Sequence, residues 1–164
     1  MSGHRYAVQV EWTGAGDTGT TSYRAYGRDH RVVIAGKPDL LGSSDPTFRG
    51  DASRHNPEEL LVAAISACHM LWYLHLAAEA GVVVTGYADR AEGEMALEAD
   101  GGGHFTSVEL RPQVTLADGA DSATAEALHA MAHAKCFIAR SVNFPITVLV
   151  QMPGATRTTG AARP

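Results

Sequence analysis

Asn56-Pro57-Glu58-Glu59-Leu60-Leu61-Val62-Ala63-Ala64-Ile65-Ser66-Ala67-Cys68 is the stretch on which the fold turns. Asn56 is a capping residue type, Pro57 suits the first helical position, and Glu59 falls at N3, which completes a capping-box pattern. A helix is therefore predicted from Pro57 to about Ala80, ending at Gly81. Its apolar positions, Leu60, Leu61, Ala64, Ile65, Cys68, Leu71, Trp72 and Leu76, cover most of the circumference, so burial on several sides is expected, with Cys68 at mid-helix. A second helix, capped by Asp121 or Ser122, is predicted to run to about Lys135, and Cys136 follows it.

Upstream, Tyr6, Val8, Val10 and Trp12 alternate with Gln9 and Glu11 as in a half-buried strand, and Gly14, Gly16 and Gly19 supply a turn. Further strands are expected at Tyr23–Tyr26 and Arg31–Ile34, joined by the turn Gly27-Arg28-Asp29-His30; residues 36–55 read as a polar connector. Downstream, a strand from Val82 to Tyr87 is expected to carry on into Gly93–Leu97. After the turn at Asp100-Gly101-Gly102-Gly103, Val108, Leu110, Val114 and Leu116 alternate with polar residues to complete a second hairpin, and a last strand covers Ile146–Val150. The reading is an α+β domain, antiparallel strands packed with two main helices, over residues 1–152, with a disordered tail at 153–164.

Composition narrows the function. The chain has 164 residues, 45% hydrophobic and 19% charged, inside the usual range for one globular domain that folds without disulfide or metal support. Its net charge of −5 offers no basic face, which argues against nucleic acid as a partner. The longest apolar run, Leu60–Ala78, contains His69 and His75 and reads as core helix rather than membrane span. Two cysteines are too few for a secreted disulfide framework, and the N-terminal residues lack the apolar core of a signal peptide, so the cytoplasm is the expected compartment. A small molecule is the expected ligand.

The two thiols, Cys68 and Cys136, each close an alanine-rich helical stretch. A thiolate attacks a peroxide oxygen and becomes a sulfenic acid, which a second cysteine can trap as a disulfide. Taken alone, a cysteine in an apolar helix is more often an inert small hydrophobe than a reactive group. The segment from Asn56 through Cys68, with Cys68 ten positions after Glu58, resembles the central-helix motif of the OsmC/Ohr family, the osmotically inducible and organic hydroperoxide resistance proteins. Ala132-His133-Ala134-Lys135-Cys136 is similar to that family's second-cysteine segment, and Gly27-Arg28-Asp29 to the Gly-Arg-Asp turn of its hydroperoxide-resistance branch.

The resemblance implies an OsmC-like fold, an intertwined homodimer and a thiol peroxidase for organic hydroperoxides. By the same resemblance Cys68 attacks, Cys136 resolves, and Arg28 and Glu58 pair to poise the thiolate, with no bound cofactor and with an external dithiol or lipoyl-type reductant. Two departures, His69 after Cys68 in place of Phe and Phe137 after Cys136 in place of Pro, put the chain in an outlying OsmC-like group.

Other readings remain open at this level. His129, His133 and Cys136, at i, i+4 and i+7, share a helical face and with Cys68 could supply four zinc ligands, although no Cys-x-x-Cys or His-Glu-x-x-His pattern accompanies them. His69 and His75 read as core or interface histidines, with His69 also a candidate proton donor to the peroxide leaving group. A binding protein of the same fold with structural cysteines is the alternative to the enzyme.

Overall fold

The computed structural model describes residues 3–151. They divide into two compact units, residues 3–61 and 62–151; the tail expected at 153–164 lies outside the described residues.

The first unit is built on an antiparallel sheet of β1 (Gln9–Trp12), β2 (His30–Val33) and β3 (Leu40–Gly42), in that order. Val10 pairs with Val32 and Trp12 with His30; Arg31 of β2 faces Glu11 and forms ion pairs with Glu11 and Asp39. Two expectations fail here. Residues 23–26 are a turn, not a strand, because Tyr23 and Tyr26 give their carbonyls and ring faces to Arg28 instead of to a neighbouring strand. The polar connector, in turn, contains β3 and a short 3₁₀ helix at Pro46–Phe48 capped by Asp45, whose carboxylate accepts from the Thr47 N–H at 2.7 Å. The alternating stripe of Tyr6, Val8 and Val10 is exposed in this chain.

Helix α1 spans Pro57–Glu79, and the capping box is formed in both directions. The Glu59 N–H donates to Asn56 Oδ1 at 2.8 Å, and Glu59 Oε2 accepts from the Asn56 N–H at 3.2 Å. The helix stops where Gly81 takes φ +71°, letting the Val82 N–H reach back to the Ala77 carbonyl at 2.9 Å.

In the second unit α1 packs with α2 (Ser122–Lys135) and with a two-stranded sheet of β4 (Val84–Asp89) and β7 (Pro112–Leu116). Tyr73, Leu76, Ala77, Val82, Val114, Ala125, Leu128 and Ala132 form the core. Of the two candidate caps of α2 it is Asp121 that serves, its carboxylate accepting from Ala123 and Thr124. A second sheet holds β5 (Glu92–Leu97), β6 (Gly103–Leu110) and β8 (Ile146–Val148). The expected continuous strand breaks at Arg90 and Ala91, so β4 and β5 lie in different sheets, and β8 pairs parallel to β6 while the other pairs are antiparallel.

The corner between β4 and the start of β7 is tied by one carboxylate. Asp89 accepts from the Arg111 N–H at 2.7 Å and from Ser66 Oγ of α1 at 2.6 Å. The buried stripe of α1 is narrower than expected: Ile65, His69, Tyr73, Leu76 and Ala77 are covered, whereas Leu71 is 62% exposed. The strands and second helix of this chain cover only one side of α1. Although α1 is long and apolar enough by composition to cross a membrane, that stripe packs inside the domain core.

Candidate functional site

Both thiols lie in the second unit and are free. Cys68 stands at the middle of α1, half-buried, two residues beyond the Ser66 hydroxyl that is pinned to Asp89. Cys136 is the residue at which α2 ends: its N–H bonds the Ala132 carbonyl at 2.9 Å, but its own ψ of 114° leaves the helical region. Its Sγ is buried and accepts from the Ala139 N–H at 3.3 Å, in the turn that leads into a 3₁₀ helix at Ala139–Ser141.

The two thiols are neighbours. Burial, and then hydrogen bonding to the Cys68 side chain, push the Cys136 thiol up to about 11, against a smaller opposing effect of the Ala139 N–H. Cys136 is therefore a protonated, sheltered thiol at neutral pH, and Cys68 is the more accessible member of the pair.

Leu71, Trp72 and His75 follow Cys68 at i+3, i+4 and i+7, on the same side of α1. They line an open, apolar cleft of about 250 Å³. The exposed Phe137 ring meets Trp72 edge-on, centroids 5.4 Å apart, and Lys135 Nζ lies 5.3 Å from the Trp72 ring centre. His75, read from the sequence as a core or interface histidine, is not in the core of this chain: it is exposed and sits 3.4 Å from Glu79 one turn on.

The other two sequence candidates lie in the first unit. Arg28 donates from Nη1 to the Tyr26 carbonyl at 2.6 Å and from Nη2 to the Tyr23 carbonyl at 2.8 Å, with its guanidinium carbon 4.1 Å and 4.4 Å from the centres of the two rings. The turn that presents it depends on glycine: the Gly27 N–H bonds the Gly14 carbonyl at 2.8 Å, and a β-carbon on Gly14 would strike the Gly27 carbonyl. Asp29, next to Arg28, is held by Ser43 and Arg54.

Glu58 occupies the first turn of α1 with one carboxylate oxygen, Oε2, buried and unpartnered among the described residues. The ion pair expected between Arg28 and Glu58 is not among the contacts of the described residues; two of the five N–H donors of Arg28 bond the carbonyls of its own turn, and three are left over. Arg31, three residues on, is committed to Glu11 and Asp39.

The sequence did not show how the histidines associate. His69 Nε2 and His129 Nδ1 are hydrogen-bonded at 3.0 Å across the α1–α2 packing, both rings are buried, and the His129 ring stacks on Tyr73 with centroids 4.1 Å apart. Burial drives both imidazoles down to about 4 from an ordinary 6.5, helped at His69 by His133 and at His129 by His69, so the pair is neutral at neutral pH. Residues 60 positions apart meet in this bond, and no local pattern signals such a pairing. Zinc coordination by His129, His133, Cys136 and Cys68 does not follow from the geometry: among the described residues no group of three or more His, Cys, Asp or Glu is arranged to hold a metal ion.

The chain is similar to known proteins in both sequence and fold. Its residues 50–151 match the model of the family described as OsmC-like protein. An OsmC-like protein of unknown function from Vibrio cholerae superposes with a TM-score of 0.81 at 30% identity, covering 90% of this chain and 99% of its own. The organic hydroperoxide resistance protein OsmC of Legionella pneumophila is similar in fold, with a TM-score of 0.65, 21% identity and coverage of 92% and 98%. An organic hydroperoxide resistance protein of Elizabethkingia anophelis gives 0.63, 20% identity and coverage of 91% and 96%. No curated protein sequence matches the chain. The family match, which spans more than half of the chain, and the Vibrio cholerae neighbour establish that this α+β chain belongs to the OsmC-like family.

Proposed function

We propose that the protein is a thiol-dependent peroxidase that reduces organic hydroperoxides. The observation that carries this reading is the pair of adjacent, unequal thiols: Cys68, half-exposed on a helix, beside Cys136, buried and protonated. The Cys68 thiolate attacks the distal peroxide oxygen, the O–O bond breaks, and the alkoxide takes a proton to leave as an alcohol. Cys68 is left as a sulfenic acid. The sulfur of Cys136, giving up its proton, then displaces hydroxide from Cys68, forming the Cys68–Cys136 disulfide and one water. An external dithiol of the lipoyl type returns both cysteines to thiols and is itself oxidised to a disulfide.

Arg28, a permanent cation with donors to spare, and Glu58, whose Oε2 lacks a partner, are assigned the poising of the Cys68 thiolate. No bound cofactor takes part. The apolar cleft of Leu71 and Trp72 on the Cys68 side of α1 favours a carbon-rich peroxide, so turnover with cumene or fatty-acid hydroperoxides should exceed that with hydrogen peroxide. The uncovered apolar residues Tyr6, Val8, Val10 and Leu71 are the kind of surface that an intertwined homodimer would bury. A cytoplasmic setting keeps such thiols reduced between turnovers.

Intact-mass analysis of the reduced protein after one equivalent of cumene hydroperoxide tests the scheme. Wild type should lose two hydrogens, Cys136→Ser should gain one oxygen, and Cys68→Ser should stay unchanged. Wild-type thiols that persist would overturn the peroxidase and favour a non-catalytic binding protein of the same fold, a reading to which the deep burial of Cys136 lends itself.

A further inference from the structure

The two helices that carry the cysteines are joined by one buried polar contact, the bond between His69 Nε2 of α1 and His129 Nδ1 of α2. His69 follows Cys68 directly in α1, and His129 lies seven residues before Cys136 in α2, so the bond stands beside the thiol pair along the same helix–helix packing. Two neutral imidazoles share a single proton between facing nitrogens, one ring donating and the other accepting. Protonating the acceptor removes its lone pair and sets two N–H groups against each other at 3.0 Å in a water-poor site. The contact thus has two discrete states, bonded when the pair is neutral and repulsive once it gains a proton.

Resting on the peroxidase reading, we infer that His69 and His129 are positioning residues: their bond holds α1 and α2 in the register that lets Cys68 and Cys136 join as a disulfide, and acid releases that register. The groups facing the pair are Tyr73 of α1, stacked on His129; His133 of α2, whose positive form disfavours a charge on His69; and Asp89 of β4, while Tyr87 of β4 lies behind Tyr73, ring centroids 5.8 Å apart. Asp89 favours the charged form of His69, yet its carboxylate is already engaged by Ser66 and the Arg111 N–H, and burial outweighs it. His69 Nδ1, His129 Nε2 and the Tyr73 and Tyr87 hydroxyls have no partner among the described residues, so no neighbouring group fixes the pair in its charged form.

Three full-length proteins separate this role from mere packing: wild type, His69→Gln/His129→Asn, which keeps an amide donor and acceptor near the two bonded nitrogens but cannot titrate, and His69→Leu/His129→Leu, which keeps bulk and removes the bond. Each is equilibrated at pH 7 with reduced and oxidised glutathione and read by intact mass. One glutathione disulfide takes two hydrogens from the protein thiols, giving the intramolecular disulfide and two glutathiones. The effective concentration of the thiol pair should be similar in wild type and the Gln/Asn protein and lower by about tenfold in the Leu/Leu protein.

The preformed disulfide is then reduced with a water-soluble phosphine at pH 7 and at pH 4, and each rate is divided by that of the Gln/Asn protein at the same pH. The wild-type ratio should rise by about tenfold at pH 4, as the charged pair parts. A Leu/Leu protein with the wild-type effective concentration, a flat wild-type ratio, or a wild type that forms no disulfide would overturn the inference. Neither arm contains a peroxide, so failure to reduce hydroperoxides would sink the peroxidase without deciding this question. If the Leu/Leu protein does not fold, the pH arm decides by itself.

Discussion

Acid should unfold this protein through two imidazoles. Below pH 6.5 an unfolded chain takes up protons at His69 and His129, whereas the folded pair, held down to about 4, refuses them. The unfolded state therefore binds more protons between pH 6.5 and 4, and stability falls as the pH is lowered through that window. With those limits each imidazole contributes about 2 kcal/mol of lost stability at pH 5 and about 3 kcal/mol at pH 4 relative to neutral pH. The rings are 1% and 3% exposed, so solvent screening removes little of this. Together the two approach the lower end of the roughly 5–15 kcal/mol that separates native from unfolded domains. Urea unfolding at pH 7, 5 and 4, on wild type and on His69→Gln/His129→Asn, isolates the contribution, because all other carboxylates and histidines are common to both. Wild type should lose about 4 kcal/mol more than the variant between pH 7 and pH 5. A difference below about 1 kcal/mol would show that the pair titrates in the folded protein as it does in the unfolded chain, and the reasoning from burial would fail.

Two further expectations follow from other parts of the second unit. The Cys136 thiol, pushed up to about 11, keeps its proton where an unfolded chain has lost it, so stability should fall as pH rises from about 9 towards 11; ultraviolet thiolate absorbance should show one group titrating near pH 11 that Cys136→Ser removes. Asp89→Ala should cost about 2–4 kcal/mol in urea unfolding, since it strands both the Ser66 hydroxyl and the Arg111 N–H, and a loss below about 1 kcal/mol would show that water replaces the carboxylate at no expense.

The parts of this fold that were legible in the sequence are those fixed by local rules. Asn56 and Glu59 announce the start of α1 because each side chain accepts from the other's backbone N–H three residues away, Pro57 because it brings no N–H to leave unpaired, and Gly81 ends the helix for an equally local reason. Tyr23–Tyr26 misleads because tyrosines are favoured in strands, while the actual task of Tyr23 and Tyr26 is to wrap one guanidinium. The break at Arg90 and Ala91 follows from the assignment of β4 and β5 to different sheets, which is decided by partners farther along the chain. Cys68 and Cys136 suggest themselves as a pair because they are the chain's two thiols, but their attacking and resolving roles come only through resemblance, and the His69–His129 bond is not legible at all, since residues so far apart leave no periodic trace. The exposed side of α1 reads as core in any periodicity argument, because sequence records that a face is apolar without recording what covers it.

Cys136 is the last residue whose N–H belongs to α2 and the first whose backbone departs from it. A sulfur mounted within the helix could shift its partner only by tilting a whole rod of fourteen residues, with Leu128 and Ala132 in tow. Mounted at the helix end, with the 3₁₀ turn Ala139–Ser141 taking up the chain beyond, it swings on a pivot. In the proposed peroxidase cycle the mechanical load of making and breaking a sulfur–sulfur bond would then fall first on a few torsions of the loop beyond α2, so that the register set by the helices is kept from one turnover to the next.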